Sequence, residues 1–284
     1  MMDSEIVDSH VHFWDPKNLT YAWHESVPTL ARSFTPEDFC AAASATVIKM
    51  VFVECGCART QAHTEVAWVA ELARREPRLQ GIVAQAPLER GTHCLSDLTA
   101  LALWPLVKGV RRNFENESDP HFCLRAEFIA GVRQLARFDF SCDLCVRHTQ
   151  LPAVIDLVRR CSEVRFVVDH CGKPDIRNRV HDPWRQNIET LAKLPNVSCK
   201  ISGLLTEGDR RGWAARDFRP YIRHVMDSFG PHRIMFGGDW PVLTLGGTYA
   251  EWLDVLHYCL EGLSAPDLAR FYRSNAETFY RLPT

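Results

Sequence analysis

The chain alternates between short apolar runs and longer stretches in which apolar residues recur every three or four positions. Runs of the first kind predict buried strands, and stretches of the second kind predict amphipathic helices. Such βα repetition is typical of a parallel sheet, and eight repeats favour an α/β fold of the (β/α)8 TIM-barrel type over an open sheet. The eight predicted strands are Ile6–Trp14, Val47–Cys55, Leu79–Leu88, Val107–Asn113, Phe140–Arg147, Val164–Cys171, Val197–Ser202 and Arg233–Asp239.

The stretches between these runs predict the helices of the barrel. The first has Thr35 in position to cap its N-terminus and Pro36 at its first helical position. No linker or low-complexity segment interrupts the repetition, so we expect residues 1–284 to form a single barrel domain. The predicted helices are Pro36–Ala45, Thr60–Glu76, Leu95–Leu103, Ala126–Arg137, Leu151–Cys161, Trp184–Leu194, Arg219–Phe229 and Tyr249–Leu260.

One segment, Leu19–Ser33, follows neither period. It carries Tyr21, Trp23, His24 and Pro28 among polar residues, so we expect a long loop after the first strand, lying over the mouth of the barrel. Loops of this length contact substrate or cover the barrel end, and the sequence leaves both roles open.

Polar residues gather at the ends of the apolar runs. Catalytic residues of a (β/α)8 barrel lie at the C-terminal ends of its strands. His10 and His12 are two positions apart, so a strand would project both from one face, whereas Asp239 ends the last run. Imidazoles and carboxylates at several strand ends together predict a catalytic or metal site. The other polar residues at strand ends are Glu54, Arg111, Arg112, Arg147, His148, Asp169, His170 and Lys200.

Composition removes several other classes of protein. The chain has 284 residues, 46% of them hydrophobic, and a formal net charge of −2. A chain of this length and composition can bury a large core and does not need disulfide bonds to fold. There is no basic stripe of the kind that nucleic-acid binding needs. No apolar stretch approaches the roughly 20 residues that cross a bilayer, and the N-terminus lacks a signal-peptide pattern. We therefore expect a cytoplasmic protein without nucleic-acid or membrane partners.

The 11 cysteines lie mostly inside apolar runs, so we expect reduced core thiols. Cys142 and Cys145 have the spacing of a redox pair, but residues three apart in a strand face opposite ways. Cys55, Cys57 and Cys171 lie near strand ends, where we expect neighbours of a pocket and not nucleophiles.

Three segments together resemble the amidohydrolase superfamily. The resemblance spans nearly the whole chain and points to the branch that contains sugar-acid lactonases, such as L-rhamnono- and L-fuconolactonase, and 2-pyrone-4,6-dicarboxylate lactonase. The segments are Asp8–Asp15 (DSHVHFWD), Val168–Pro174 (VDHCGKP) and Met235–Pro241 (MFGGDWP).

This resemblance implies roles for particular residues. Asp239 would be the general base acting on the hydrolytic water, and His10, His12 and His170 would bind a metal or polarise the lactone carbonyl. We expect at most one divalent ion, Zn²⁺ or Mn²⁺, because the fourth run ends in Arg111 and Arg112, and Lys108 lies too early in it to be carboxylated as a ligand that bridges two metals. The branch includes a member that works without metal, so the requirement stays open. Glu54 is either a further ligand or a partner that orients His12.

The substrate class follows from cations and aromatics near the mouth. Arg111, Arg112, Lys173 and Lys200 would bind a carboxylate or hydroxyls, and His148, Trp23 and Trp240 are further candidate contacts. The aromatic first loop favours a neutral sugar lactone over a dicarboxylate pyrone. We therefore expect a lactonase that opens a five- or six-membered aldonolactone.

Two other functions stay open at this point. One is a metal-dependent, non-oxidative decarboxylase of an aromatic acid, which would share the paired histidines and the last-strand aspartate. The other is a non-catalytic barrel that binds a metabolite. The outer helices leave room for a homodimer, although the sequence contains no apolar patch that decides it.

Overall fold

The computed structural model of the protein describes residues 5–43, 46–209 and 212–283. Eight strands in these residues form one sheet in chain order, and each strand pairs in parallel with the next. The predicted (β/α)8 barrel is confirmed. The strands are β1 (Ile6–Val11), β2 (Val47–Val53), β3 (Leu79–Ala84), β4 (Val107–Val110), β5 (Ser141–Leu144), β6 (Phe166–Val168), β7 (Val197–Ile201) and β8 (Ile234–Phe236).

The barrel closes where β1 meets the turn after β8. The Asp239 backbone N–H donates to the His10 carbonyl at 2.8 Å, and the His12 N–H donates to the Trp240 carbonyl at 2.8 Å. The Ser9 hydroxyl donates to the Phe236 carbonyl at 2.5 Å. This seam places His10, His12 and Asp239 beside one another, although they come from opposite ends of the sequence.

Helices follow the strands, as the periodicity predicts. Helix α7 begins at Ala215 and not at the predicted Arg219, because the Asp217 carboxylate accepts the Ala214 N–H at 2.9 Å and caps this end; Pro220 lies inside the helix. Residues 44 and 45 of the first predicted helix lie outside the described residues. The helices are α1 (Pro36–Ala42), α2 (Ala62–Arg75), α3 (Leu95–Ala102), α4 (Ala126–Gln134), α5 (Leu151–Arg160), α6 (Trp184–Ala192), α7 (Ala215–Phe229), α8 (Tyr249–Cys259), α9 (Ala265–Ala269) and α10 (Asn275–Tyr280).

Two helices after α8 were not predicted. Helix α10 packs under the barrel, where Tyr280 and Leu282 join Val7, Val51 and Val83 in a buried cluster. The Tyr280 hydroxyl donates to an Asp143 carboxylate oxygen at 2.5 Å inside the barrel. The floor of the barrel is therefore closed by residues that come late in the sequence.

The strands end earlier than the apolar runs predict. His170 has φ 54° and Asp239 has φ 57°, and an L-residue with positive φ cannot continue an extended strand. A Cβ on Gly238 would lie 2.5 Å from an Asp8 carboxylate oxygen, so the chain at this point needs glycine. His170 and Asp239 therefore lie in the turns that follow β6 and β8, whereas His10 and Lys200 lie within β1 and β7.

The long loop after β1 is present, as predicted. It contains two short 3-10 turns, Ala22–Ser26 and Pro28–Leu30. Trp14 holds it in place, since its indole Nε1–H donates to the carbonyls of Leu30 at 3.1 Å and Arg32 at 2.8 Å. The Trp23 indole N–H donates to the Cys55 carbonyl at 2.8 Å, so the loop packs against the turn after β2.

The cysteines lie mostly in the core, as their positions inside apolar runs predict. All 11 cysteines are free thiols, and all except Cys40 are buried. Within the ranges that the structure describes, no helix combines the length and apolar character needed to cross a membrane.

Candidate active site

Three histidines converge on one carboxylate at the C-terminal end of the barrel. The Asp239 Oδ1 atom lies 3.6 Å from His10 Nε2, 3.3 Å from His12 Nε2 and 4.0 Å from His170 Nε2. All four side chains are buried. The structure therefore brings together the residues to which the sequence analysis gave a catalytic role.

Each histidine is held through its other ring nitrogen. His10 Nδ1 lies 3.3 Å from Asp169 Oδ1, and His170 Nδ1 lies 2.9 Å from the Ser202 hydroxyl. His12 Nδ1 lies 2.7 Å from the Val53 carbonyl. Such contacts fix the ring orientations, so the three Nε2 atoms face Asp239.

Burial sets the charges of this group. It lowers the pKa of His10 well below its ordinary value and that of His170 to about 4. Burial alone would raise the pKa of Asp239, but its interactions with His170, His10 and His12, including the hydrogen bond from His12, lower it overall. At neutral pH the site combines neutral imidazoles at His10 and His170 with an ionised carboxylate.

Glu54 has neither of the two roles that the sequence analysis considered for it. Its Oε1 accepts from Arg111 Nε at 2.7 Å, and its Oε2 accepts from the Gly56 N–H at 2.7 Å. Because its carboxylate is occupied by Arg111 and a backbone amide, Glu54 is not placed as a metal ligand. The partner of His12 is the Val53 carbonyl, so Glu54 does not orient that ring directly.

Arg111 lies inside the site and not at its rim. Its Nη1 atom is 3.3 Å from Asp169 Oδ2 and 3.5 Å from His10 Nε2, and its side chain is 6% exposed. The guanidinium therefore stays close to the atoms that face Asp239.

Lys200 lies beneath the histidines, and its prediction as a substrate contact at the barrel mouth is wrong. Its Nζ atom is 2.7 Å from Asp143 Oδ2, 3.1 Å from Asp169 Oδ1 and 3.3 Å from His10 Nδ1. The side chain has no solvent exposure. The alternation along β7 turns Lys200 into the barrel, where the two carboxylates stabilise its charge.

The remaining predicted substrate contacts are spread over several surfaces. Arg112 pairs with Glu89 at 3.0 Å and with Glu117 at 2.6 Å. Lys173 donates to Glu115 at 2.6 Å in the wall of a cavity of 580 Å³. His148 is partly buried in the turn that precedes α5.

The two predicted aromatic contacts belong to the packing of the first loop. Trp240 is 2% exposed and packs edge-on against Phe34 and Phe39, so little of its ring remains for a substrate. Trp23 is partly buried, and its indole N–H donates to the Cys55 carbonyl at 2.8 Å.

Several buried polar residues that support the site were absent from its predicted set. Asp8 accepts the Gly238 N–H and the Tyr249 hydroxyl, each at 2.8 Å, and burial raises its pKa to about 7. Ser202 holds His170, and Asp143 holds Lys200. A signal existed for Asp143, because a carboxylate inside a short apolar run needs a buried partner.

The donors of this cluster suit a divalent metal. His10, His170 and Asp239 each offer one ligand atom, and these atoms lie within 4.8 Å of one another. Neutral imidazole and carboxylate are zinc ligands, and three protein ligands leave a position open for chemistry. A second group, Cys145 with Asp169 and His170, fits less well, because Asp169 already neutralises Lys200 and Arg111.

Gly203, in the turn after β7, packs against His170 and Asp239. It has φ +62°, and an added Cβ would lie 2.4 Å from His170 Nδ1 and 2.8 Å from Asp239 Oδ2. We expect Gly203→Ala to displace the side chains of His170 and Asp239 and to lower kcat by about tenfold to a hundredfold, measured as steady-state lactone hydrolysis.

The matched control is Gly262→Ala, since Gly262 has φ +88° and open space around its Cα. It carries comparable backbone strain without the clash, so its kcat should match the wild-type value. Equal losses of kcat in the two variants would assign the effect to backbone strain and not to the position of His170.

Comparison with known proteins shows the family of the chain. The amidohydrolase family model matches residues 7–282, so the chain belongs to the amidohydrolase family. The chain is 33% identical to an L-fucono-1,5-lactonase of Burkholderia multivorans, over 98% of this chain and 96% of that protein. It is 30% identical to an L-fucono-1,5-lactonase of Burkholderia ambifaria, over 97% and 95% of the two chains.

A solved structure extends the comparison. An amidohydrolase from Burkholderia multivorans with bound zinc superposes with a TM-score of 0.88, at 31% identity, over 99% of this chain and 100% of that one. Within the amidohydrolases, the chain is a member of the lactonase branch, a hydrolase of carboxylic esters.

Proposed function

We propose that the protein opens the ester ring of a sugar-acid 1,5-lactone by water attack. The observation that carries this proposal is the convergence of three imidazole Nε2 atoms on the Asp239 carboxylate. Its similarity to the two L-fucono-1,5-lactonases supports a six-membered lactone of a deoxy sugar acid as substrate.

In this reaction Asp239 accepts a proton from the attacking water while the water oxygen bonds to the lactone carbonyl carbon. The negative charge that develops on the carbonyl oxygen is stabilised by the nearby Arg111 guanidinium and the imidazole cluster. When the bond to the ring oxygen breaks, Asp239 returns the proton to that oxygen, which becomes a hydroxyl. The product is the open-chain sugar acid.

His10, His170 and Asp239 would hold a divalent cation in this site, for which zinc is the first candidate because of the zinc-bound relative. When bound, the cation supplies Lewis-acid polarisation of the lactone carbonyl. Asp169 and Ser202 would keep the two imidazoles oriented toward it.

A lactone panel tests the proposed function. Purified protein should release acid, followed with a pH indicator, from L-fucono-1,5-lactone faster than from 2-pyrone-4,6-dicarboxylate. The absence of acid release above the uncatalysed rate from every lactone would contradict the proposal. Release of CO₂ from an aromatic acid would then support a decarboxylase, and tight binding without turnover a binding protein.

Metal removal is a separate prediction. We expect dialysis against a chelator to lower lactone hydrolysis by at least tenfold, and stoichiometric Zn²⁺ or Mn²⁺ to restore it, because the carbonyl loses its strongest electrophilic partner. Metal content by mass spectrometry should fall and recover in parallel with the rate. Full activity in protein shown to be free of metal would leave the imidazoles and Arg111 as the electrophilic groups.

A further inference from the structure

A cavity of 580 Å³ adjoins the turns that carry the site, and its polar lining has no role in the chemistry above. Its volume lies in the range of about 300–1,000 Å³ that is usual for small-molecule sites. Lys173 comes three residues after His170, and Val242 comes three residues after Asp239. Its charged lining residues are Glu115, Arg147, Lys173, Asp175, Arg177 and Glu207.

The charges in this wall balance, with three carboxylates and three cations. Glu115 alone engages two of the cations, since it lies 2.6 Å from Lys173 Nζ and 3.0 Å from Arg147 Nη2. A dianionic substrate needs several cations free to receive it. Here it would have to displace Glu115, so the cavity favours a neutral ligand.

Glu207 offers an acceptor to such a ligand. Its side chain is partly buried and, among the residues that the structure describes, has neither an ion pair nor a hydrogen bond. Burial raises its pKa, opposed by the charge of Lys173, and the Asp239 charge raises it further. Its carboxyl is thus within electrostatic reach of both the cavity and the site. A carboxylate that accepts no hydrogen bond from the described residues can accept one from a ligand hydroxyl.

We propose that Glu207, together with Lys173 and Glu115, forms a subsite that recognises the hydroxyl groups of a neutral, polyhydroxylated six-membered lactone. This inference rests on the proposed function. A hydroxyl donates to a carboxylate and accepts from an ammonium group, so it fits between these residues without disturbing their charge balance. A site built to hydrogen-bond a hydroxyl discriminates strongly against the analogue that lacks it.

The test compares two lactones in two proteins. Glu207→Gln keeps the side-chain shape but replaces the charged acceptor. We expect it to raise KM for L-fucono-1,5-lactone by about tenfold, the loss of one charge-assisted hydrogen bond, with a smaller change in kcat. For δ-valerolactone, which carries no ring hydroxyls, the affinity should change less than twofold, measured as its inhibition constant against the hydroxylated substrate.

Glu163→Gln is the matched control, because Glu163 is exposed before β6 and pairs with Arg133 on the outside of the barrel. Its KM for L-fucono-1,5-lactone and its inhibition constant for δ-valerolactone should equal the wild-type values. Equal changes for the two lactones in Glu207→Gln, or no change for either, would overturn the subsite while leaving the proposed function intact. Failure of the wild-type protein to hydrolyse any lactone would instead remove the proposed function.

Discussion

Asp239→Asn should lower kcat for lactone hydrolysis by about 10³-fold or more while leaving the protein folded. The amide cannot accept the proton of the attacking water, and general-base catalysis typically contributes about 10²- to 10⁴-fold. The same substitution replaces a charged carboxylate by a neutral amide among the three ligand atoms that lie within 4.8 Å of one another. The measurement is single-turnover or steady-state hydrolysis of L-fucono-1,5-lactone, with thermal unfolding followed in parallel.

Asp156→Asn is the control for this variant, since Asp156 lies half-exposed on α5 and pairs only with Arg159 on the same helix among the ion pairs of the described residues. Its kcat should match the wild-type value. If Asp239→Asn kept more than a tenth of the wild-type kcat, Asp239 would not be the base, and the water would have to lose its proton elsewhere.

Lys200→Met should be the most destabilising single change that we predict. The substitution leaves the Asp143 and Asp169 carboxylates buried without their shared ammonium group, at a cost of about 3–5 kcal/mol. For a chain of this size we expect Tm to fall by about 10 °C. Calorimetric or dichroism-monitored thermal unfolding measures the effect.

Lys193→Met provides the comparison, because Lys193 is exposed at the end of α6. Surface changes of this kind usually alter stability by less than about 0.5 kcal/mol. A Tm for Lys200→Met within 2 °C of the control would show that Asp143 and Asp169 find other partners or take up protons without cost to the fold.

The sequence predicts the order of the barrel and the group around Asp239, because both depend on local periodicity and on residue types at strand ends. It does not predict which polar residues pair with one another. Lys200 follows a strand pattern in the same way as His10, yet it lies beneath the site because Asp143, 57 residues away, meets it inside the barrel. Glu54 likewise has Arg111 as its partner, at a separation that no local pattern encodes.

The strand ends show the same limit. The apolar runs continue into the turns, so the sequence places His170 and Asp239 on strands, whereas positive φ angles end β6 and β8 before them. The contact of Gly238 with the Asp8 carboxylate, where an added Cβ would lie 2.5 Å from an oxygen, is likewise not encoded by any local pattern. Such contacts are properties of the assembled barrel.

The seam between β1 and the turn after β8 has a kinetic consequence. His10 and Asp239 are separated by most of the chain, and the backbone hydrogen bond between them forms only when the first and last strands meet. Bringing such distant segments together is a late and slow event for a chain dominated by non-local contacts. During refolding, therefore, the recovery of lactone hydrolysis should lag behind the recovery of helical dichroism. The rate at which activity returns would then measure the rate at which the barrel closes.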